Sequence, residues 1–171
     1  MIVEITKHTD VSLAHEAIAF TTGHTFDPKA ELIDIYGWGH SLTYTQMFTI
    51  RMYKIPSFVS VHFVRHHVGV CHYVKSMRDD RQPEKEVDRN TPVNHMMFCN
   101  AEAVMAMARR RLCGMAHKNT RIVMEEIKRK MQLTDPALAD MLVPTCVYRN
   151  GVCPEPKPCN MARYWGISNA I

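Results

Sequence analysis

With 171 residues, 46% of them hydrophobic and 22% charged, the chain can bury a sizeable core as one domain, and its composition is that expected of a soluble protein rather than a disordered or membrane one. A net charge of +4 suits small phosphorylated anions and falls far short of a surface built to coat nucleic acid, which is not expected as a partner. No run approaches the roughly 20 apolar residues that cross a bilayer, and the opening MIVEITKHTD lacks the regions of a signal peptide, so a single cytoplasmic domain, 1–171, with no membrane contact, is expected. Six cysteines beside 13 methionines then read as free thiols in a reducing compartment.

In chain order, IVEIT (2–6) reads as a short strand, and Asp10 caps an apolar helix to about Phe20. Asp27 and Pro28 open a second helix, with glycine just past its end. From Leu42 to Met52, apolar Leu42, Tyr44, Phe48, Ile50 and Met52 share one face at a spacing of two, the pattern of a half-buried strand. Pro56 starts a helix, SFVSVHFVRHHV, that Gly69 ends. The charged stretch 78–90 has no apolar period and reads as an exposed loop. Asn100 caps a helix ending in Arg109, Arg110 and Arg111 with Gly114 behind it; another runs from about Asn119 to Leu133, and Thr134, Asp135 and Pro136 open a short one. From about residue 144 the Pro- and Cys-rich tail is expected to be irregular.

Three constellations could carry chemistry. Arg65, His66 and His67 at a helix end, with Ser76 and Arg78 on the next loop, offer donors for a phosphorylated aromatic ligand; the same residues also read as a capped helix end. Asn100, Val104, Met107 and Arg111 fall on one helix face with an amide and a guanidinium about 16 Å apart. That face is either a bed for an elongated ligand or core with a solvated arginine end. Cys146, Cys153 and Cys159 could hold zinc with Cys113 or a histidine as fourth ligand, but no closely spaced CxxC pair is present and no metal is expected.

In this order the pieces resemble the flavin-dependent thymidylate synthases. The family signature reads RHR, seven residues, then serine, after a strand, a proline and a helix; here LTYTQMFTIRMYKI, Pro56 and the helix ending in RHH stand in those places. One branch continues with an asparagine-headed helix ending in an R-T-C-N-x-A-Q-like run, matched by Asn100 and RLCGMAH, and closes on a tail containing CPE, matched by CVYRNGVCPE. The resemblance covers about residues 36–160. It implies an α/β (α+β) fold, a sheet flanked by helices, and a homotetramer whose sites lie between subunits. It implies FAD held by Arg65, His66, His67 and Asn100, and dUMP bound by His62, Arg65, Lys75, Ser76, Arg78 and Arg111, with Arg111 and Ser76 as the catalytic pair. The implied reaction is reductive methylation of dUMP to dTMP with methylenetetrahydrofolate and NADPH. A shift to hydroxymethylating dUMP or acting on dCMP, or an inactive nucleotide-binding relative, stands as the alternative. His67 replaces the usual arginine of the signature, a one-residue insertion brings Ser76 and Arg78 into register, and Glu102 and Ala106 replace an arginine and an asparagine. The segment between Arg78 and Asn100 is shortened, leaving Arg81 or Arg89 to stand for a second phosphate-binding arginine.

Overall fold

A computed structural model describes residues 1–23, 29–81, 87–159 and 161–166. Strand β1 (Ile2–Lys7) leads into α1 (Val11–Thr22), which Asp10 caps through the Ser12 amide as expected; α2 (Leu32–Trp38) follows. The expected start of that second helix, Asp27 and Pro28, lies outside the described residues, and α2 begins behind a capping box between Glu31 and Asp34. Next come β2 (Met47–Pro56), α3 (Ser57–Val64), β3 (Val70–Val74) and β4 (Pro92–Asn100). The chain then continues with α4 (Ala101–Arg111), α5 (Lys118–Thr134), α6 (Pro136–Met141), α7 (Thr145–Tyr148) and α8 (Met161–Tyr164). The architecture is thus mixed α and β: an antiparallel sheet of order β1-β2-β4-β3 flanked by helices. Among the described residues no helix is long and apolar enough to cross a membrane.

The expected strand from Leu42 is shorter than its pattern. Residues Ser41–Thr45 form a 3-10 turn because the hydroxyls of Thr43 and Thr45 bond the His40 and Leu42 carbonyls, diverting backbone that a strand would pair. Beyond it the parity holds: Phe48, Ile50 and Met52 are fully buried on the core face. The register slips by one residue between Met52 and Ile55, where Lys54 takes a left-handed conformation (φ 56°) that forms a bulge. The helix after Pro56 also ends early, at Val64. The His62 carbonyl, which a continuing helix would offer to the His66 amide, accepts from Arg111 instead, and His66 N turns to the Phe63 carbonyl. Two strands went unread in the sequence, β3 and β4, and the tail holds two single-turn helices, α7 and α8, where irregular chain was expected.

The core lies between one face of the sheet and the helices α3, α4, α5 and α6. It is rich in methionine: Met52, Met97, Met105, Met107, Met124 and Met131 are all buried, flexible side chains that fill irregular gaps. The opposite face of the sheet is partly open: Tyr73 is 57% and Phe98 41% exposed beside half-buried Tyr53 and Met96, while Thr49 is buried under His8.

Candidate functional site

Asn100 and Arg111 mark the two ends of α4. Asn100 is buried, and its Oδ1 caps the helix by accepting from Ala103 N (2.9 Å), leaving the amide nitrogen as a donor. Gly69 lies against it. Its backbone is left-handed (φ +70°), its carbonyl accepts from Asn100 N (3.0 Å), and a Cβ there would stand 2.5 Å from Asn100 Nδ2. Only glycine lets the chain pass so close. At the other end Arg111 donates through Nε to His66 Nε2 (3.0 Å) and through a terminal nitrogen to the His62 carbonyl (2.7 Å). The loop 65–69 therefore runs along α4 from its arginine end to its cap, over about 16 Å. Between the two ends Val104 and Met107 are core residues, so the helix face itself is not a ligand bed.

Around this loop Arg65 and His67 are exposed, while His62 and His66 are partly buried. His62 Nδ1 meets the hydroxyl of the buried Thr120 (2.7 Å). Burial, then the Arg111 guanidinium, holds His66 down to about 4, and the same causes lower His62. Both rings are therefore neutral near pH 7. Because a guanidinium only donates, His66 accepts on Nε2 and carries its proton on Nδ1.

Behind the loop runs a relay of side chains that the sequence did not reveal. His72 Nε2 donates to the His66 carbonyl (2.6 Å), His72 Nδ1 pairs with His95 Nε2 (2.9 Å), and His95 Nδ1 meets Ser60 Oγ (3.0 Å). The carbonyl fixes the order: His72 carries its proton on Nε2, so His95 donates from Nε2 and Ser60 donates to His95. Strand parity was the available signal, since His95 shares the buried face with Val93, Met97 and Cys99. Burial, then His72, pushes His95 down to about 4 from an ordinary 6.5. The unfolded chain thus binds the extra proton first, so the share of stability that His95 contributes is complete above about pH 6.5 and falls as pH drops toward about 4, by on the order of 3 kcal/mol, in the same direction as the share from His66. A urea midpoint unchanged between about pH 7 and about pH 4.5 would show that the folded chain accepts this proton without cost.

The remaining predicted residues stand apart. β3 runs antiparallel to β4, from Val70 opposite Cys99 to Val74 opposite His95, and so carries Lys75 roughly 20 Å of strand away from Asn100, with Ser76 and Arg78 following it. Lys75 N donates to the Asn94 carbonyl, and Lys75 lines a hollow of about 620 Å³ with Arg51, Tyr53, Tyr73 and Asn94. Arg78 makes a two-point ion pair with Asp80, both exposed. Glu102 pairs with Arg109, whose guanidinium also lies 4.0 Å from the Tyr148 ring.

One comparison decides the fold. Thymidylate Synthase X (ThyX) from Helicobacter pylori, in a crystal structure with FAD and dUMP, superposes with a TM-score of 0.63 over 81% of this chain and 99% of its own, at 12% identity. The chain has the fold of a flavin-dependent thymidylate synthase. A second structure of the Helicobacter pylori enzyme, complexed with FAD and dUMP, gives 0.60 over 76% of this chain and 93% of its own at 13% identity. A UMP/dUMP methylase, PolB, from Streptomyces cacaoi, bound with 5-Br dUMP, gives 0.60 over 82% and 93% at 14% identity. No protein-family model matches the chain, and no curated protein matches it either. The flavin-dependent thymidylate synthase fold agrees with the resemblance read from RHH, Asn100 and the cysteine tail, and with the expected sheet flanked by helices.

Proposed function

We propose that the protein is a flavin-dependent enzyme acting on a pyrimidine nucleotide of the dUMP class, its most specific form being reductive methylation of dUMP to dTMP. The observation that carries this reading is the loop 65–69 laid along α4 between the Asn100 amide and the Arg111 guanidinium, on a fold whose solved neighbours hold FAD and dUMP. The residues suit a flavin: the glycine-backed Asn100 amide donates, and exposed Arg65 and His67 supply donors for its diphosphate. The chemistry such a flavin supplies when bound is hydride for the pyrimidine, with NADPH as its reductant and methylenetetrahydrofolate as the carbon donor. The protein's own task is to orient the nucleotide and to place cationic donors on it.

A homotetramer belongs to this proposal. Within one chain Ser76 and Arg78 sit at the far end of β3 from Asn100, so a second copy is needed to bring a substrate loop to the flavin residues. Exposed apolar surface at Val61, Val64 and Val68 beside Arg65, and at Tyr73 and Phe98 on the outer sheet face, suits such packing. The Streptomyces neighbour acts on UMP as well as dUMP, which supports UMP as a second substrate. Purified chain reconstituted with FAD should be yellow and oligomeric by light scattering, and dUMP should perturb its flavin spectrum, with UMP and dCMP as comparisons. A colourless monomer that takes up no FAD would overturn the reading.

A further inference from the structure

Four of the six cysteines converge on one place. Cys113 follows the last turn of α4, Cys146 is the second residue of α7, and Cys153 and Cys159 lie in the tail; all four line a pocket of about 360 Å³ at the arginine end of α4. They are free thiols, and none belongs to the hydrophobic core cluster, in contrast to Cys99, which is fully buried in it. Three of the four are only partly buried, so apolar packing does not account for their gathering. The tail is seated tightly on the turn that carries Cys113: a Cβ on Gly114 would meet Cys159 Sγ and Met161 Cγ at 2.7 Å. Arg109, Arg110 and Arg111 line the same pocket.

We propose that Cys113, Cys146, Cys153 and Cys159 bind one thiolate-seeking divalent cation of the zinc class. Four thiolates around such a cation carry a net charge of −2, which the cationic end of α4 partly offsets through Arg110 and Arg111, Arg109 being already paired with Glu102. Four protein ligands fill a tetrahedron and leave no open position, so the site is structural and performs no chemistry of its own. The spacing of 33, 7 and 6 residues between successive cysteines hides the site from a search for close pairs, because the fold supplies the closure. Among the described residues no three His, Cys, Asp or Glu side chains form a group that could hold a metal ion as they stand, so the four thiols line one pocket without yet converging on one point. Binding at Zn–S distances of about 2.3 Å therefore contracts the pocket and draws 149–159 onto α4.

The test needs neither flavin nor nucleotide. Full-length chain grown with zinc and purified under reducing conditions should carry zinc in equimolar amount by elemental analysis. Apo chain titrated with Co²⁺ should show the visible bands of a tetrahedral cobalt thiolate, and chelator should speed proteolysis within 149–159. The double variant Cys153→Ser/Cys159→Ser should lose metal and bands, while Cys71→Ser, altered on the exposed strand β3, keeps both. Wild-type chain that neither carries zinc nor gives cobalt bands overturns the proposal, as does an iron–sulfur chromophore, a disulfide among the four in chain alkylated under denaturing conditions, or zinc retained by the double variant. The wild-type measurements decide the question even if that variant fails to fold.

Discussion

Asp135→Ala is expected to destabilise the protein by about 3–5 kcal/mol, a large share of the roughly 5–15 kcal/mol available to a domain. The carboxylate is 2% exposed, yet it accepts from Lys7 Nζ (2.6 Å), Tyr36 OH (2.8 Å) and Leu138 N (3.0 Å). One side chain thereby joins β1, α2 and the start of α6. Its removal leaves an ammonium with little solvent and a phenol, 3% exposed, without their acceptor. Burial first, and then the charge of Asp135, raises the Tyr36 phenol far above its ordinary range, so it stays protonated and keeps donating. Denaturant titration measures the loss. The double variant Lys7→Met/Asp135→Leu, which removes both charges, should recover a substantial part of it. An Asp135→Ala chain within about 1 kcal/mol of the parent would sink this account.

Arg111→Lys is expected to lower turnover of dUMP about 10- to 100-fold while nucleotide binding changes less, on the reading of the site given under the proposed function. The guanidinium is held by His66 Nε2 and the His62 carbonyl, so two of its five donors fix its plane and the others keep a set direction. Beside uracil a permanent cation favours loss of the N3 proton, and the charge spreads through the ring to raise electron density at C5. Cytosine has no N3 proton to lose, so the same arginine binds it without that activation. Lysine keeps the charge and loses the planar fork, and the deficit falls on the step where negative charge develops. Single-turnover oxidation of reduced flavin with dUMP and with dCMP, beside equilibrium binding, separates the two effects. Normal turnover of dUMP by the variant, or oxidation by the parent with dCMP alone, would remove Arg111 from this role.

What could be read from the sequence was local. Asp10 and Asn100 each cap a helix as expected, and Asp135 caps the short helix that Thr134, Asp135 and Pro136 were expected to open, because a cap is settled within three or four residues. β4 escaped notice because both its faces are mixed in character: the buried row sets His95 among Val93, Met97 and Cys99, while the outer row carries Met96 and Phe98 beside Asn94, which blurs the alternation of polarity that parity would otherwise show. His95 is tolerable inside only because Ser60 and His72 satisfy it, and those partners are 35 and 23 residues away in sequence. Ser76 and Arg78 follow the RHH run closely along the chain, but an extended strand turns a short interval of sequence into a long distance. The converse holds for Cys113 and the tail, which are distant in sequence and meet at Gly114.

The methionine-filled interior bears on how far such a chain can drift. Unbranched thioether side chains adjust three torsions to a neighbour that changes size, so an exchange such as Met124 or Met131 for leucine should cost less than about 1.5 kcal/mol. Interiors of branched side chains, locked rotamer against rotamer, lack that slack. A pliable interior of this kind lets substitutions accumulate one at a time without moving the backbone. It gives a physical reason why one backbone path does not demand one set of core side chains, in keeping with a fold shared with the Helicobacter pylori enzyme at 12% identity.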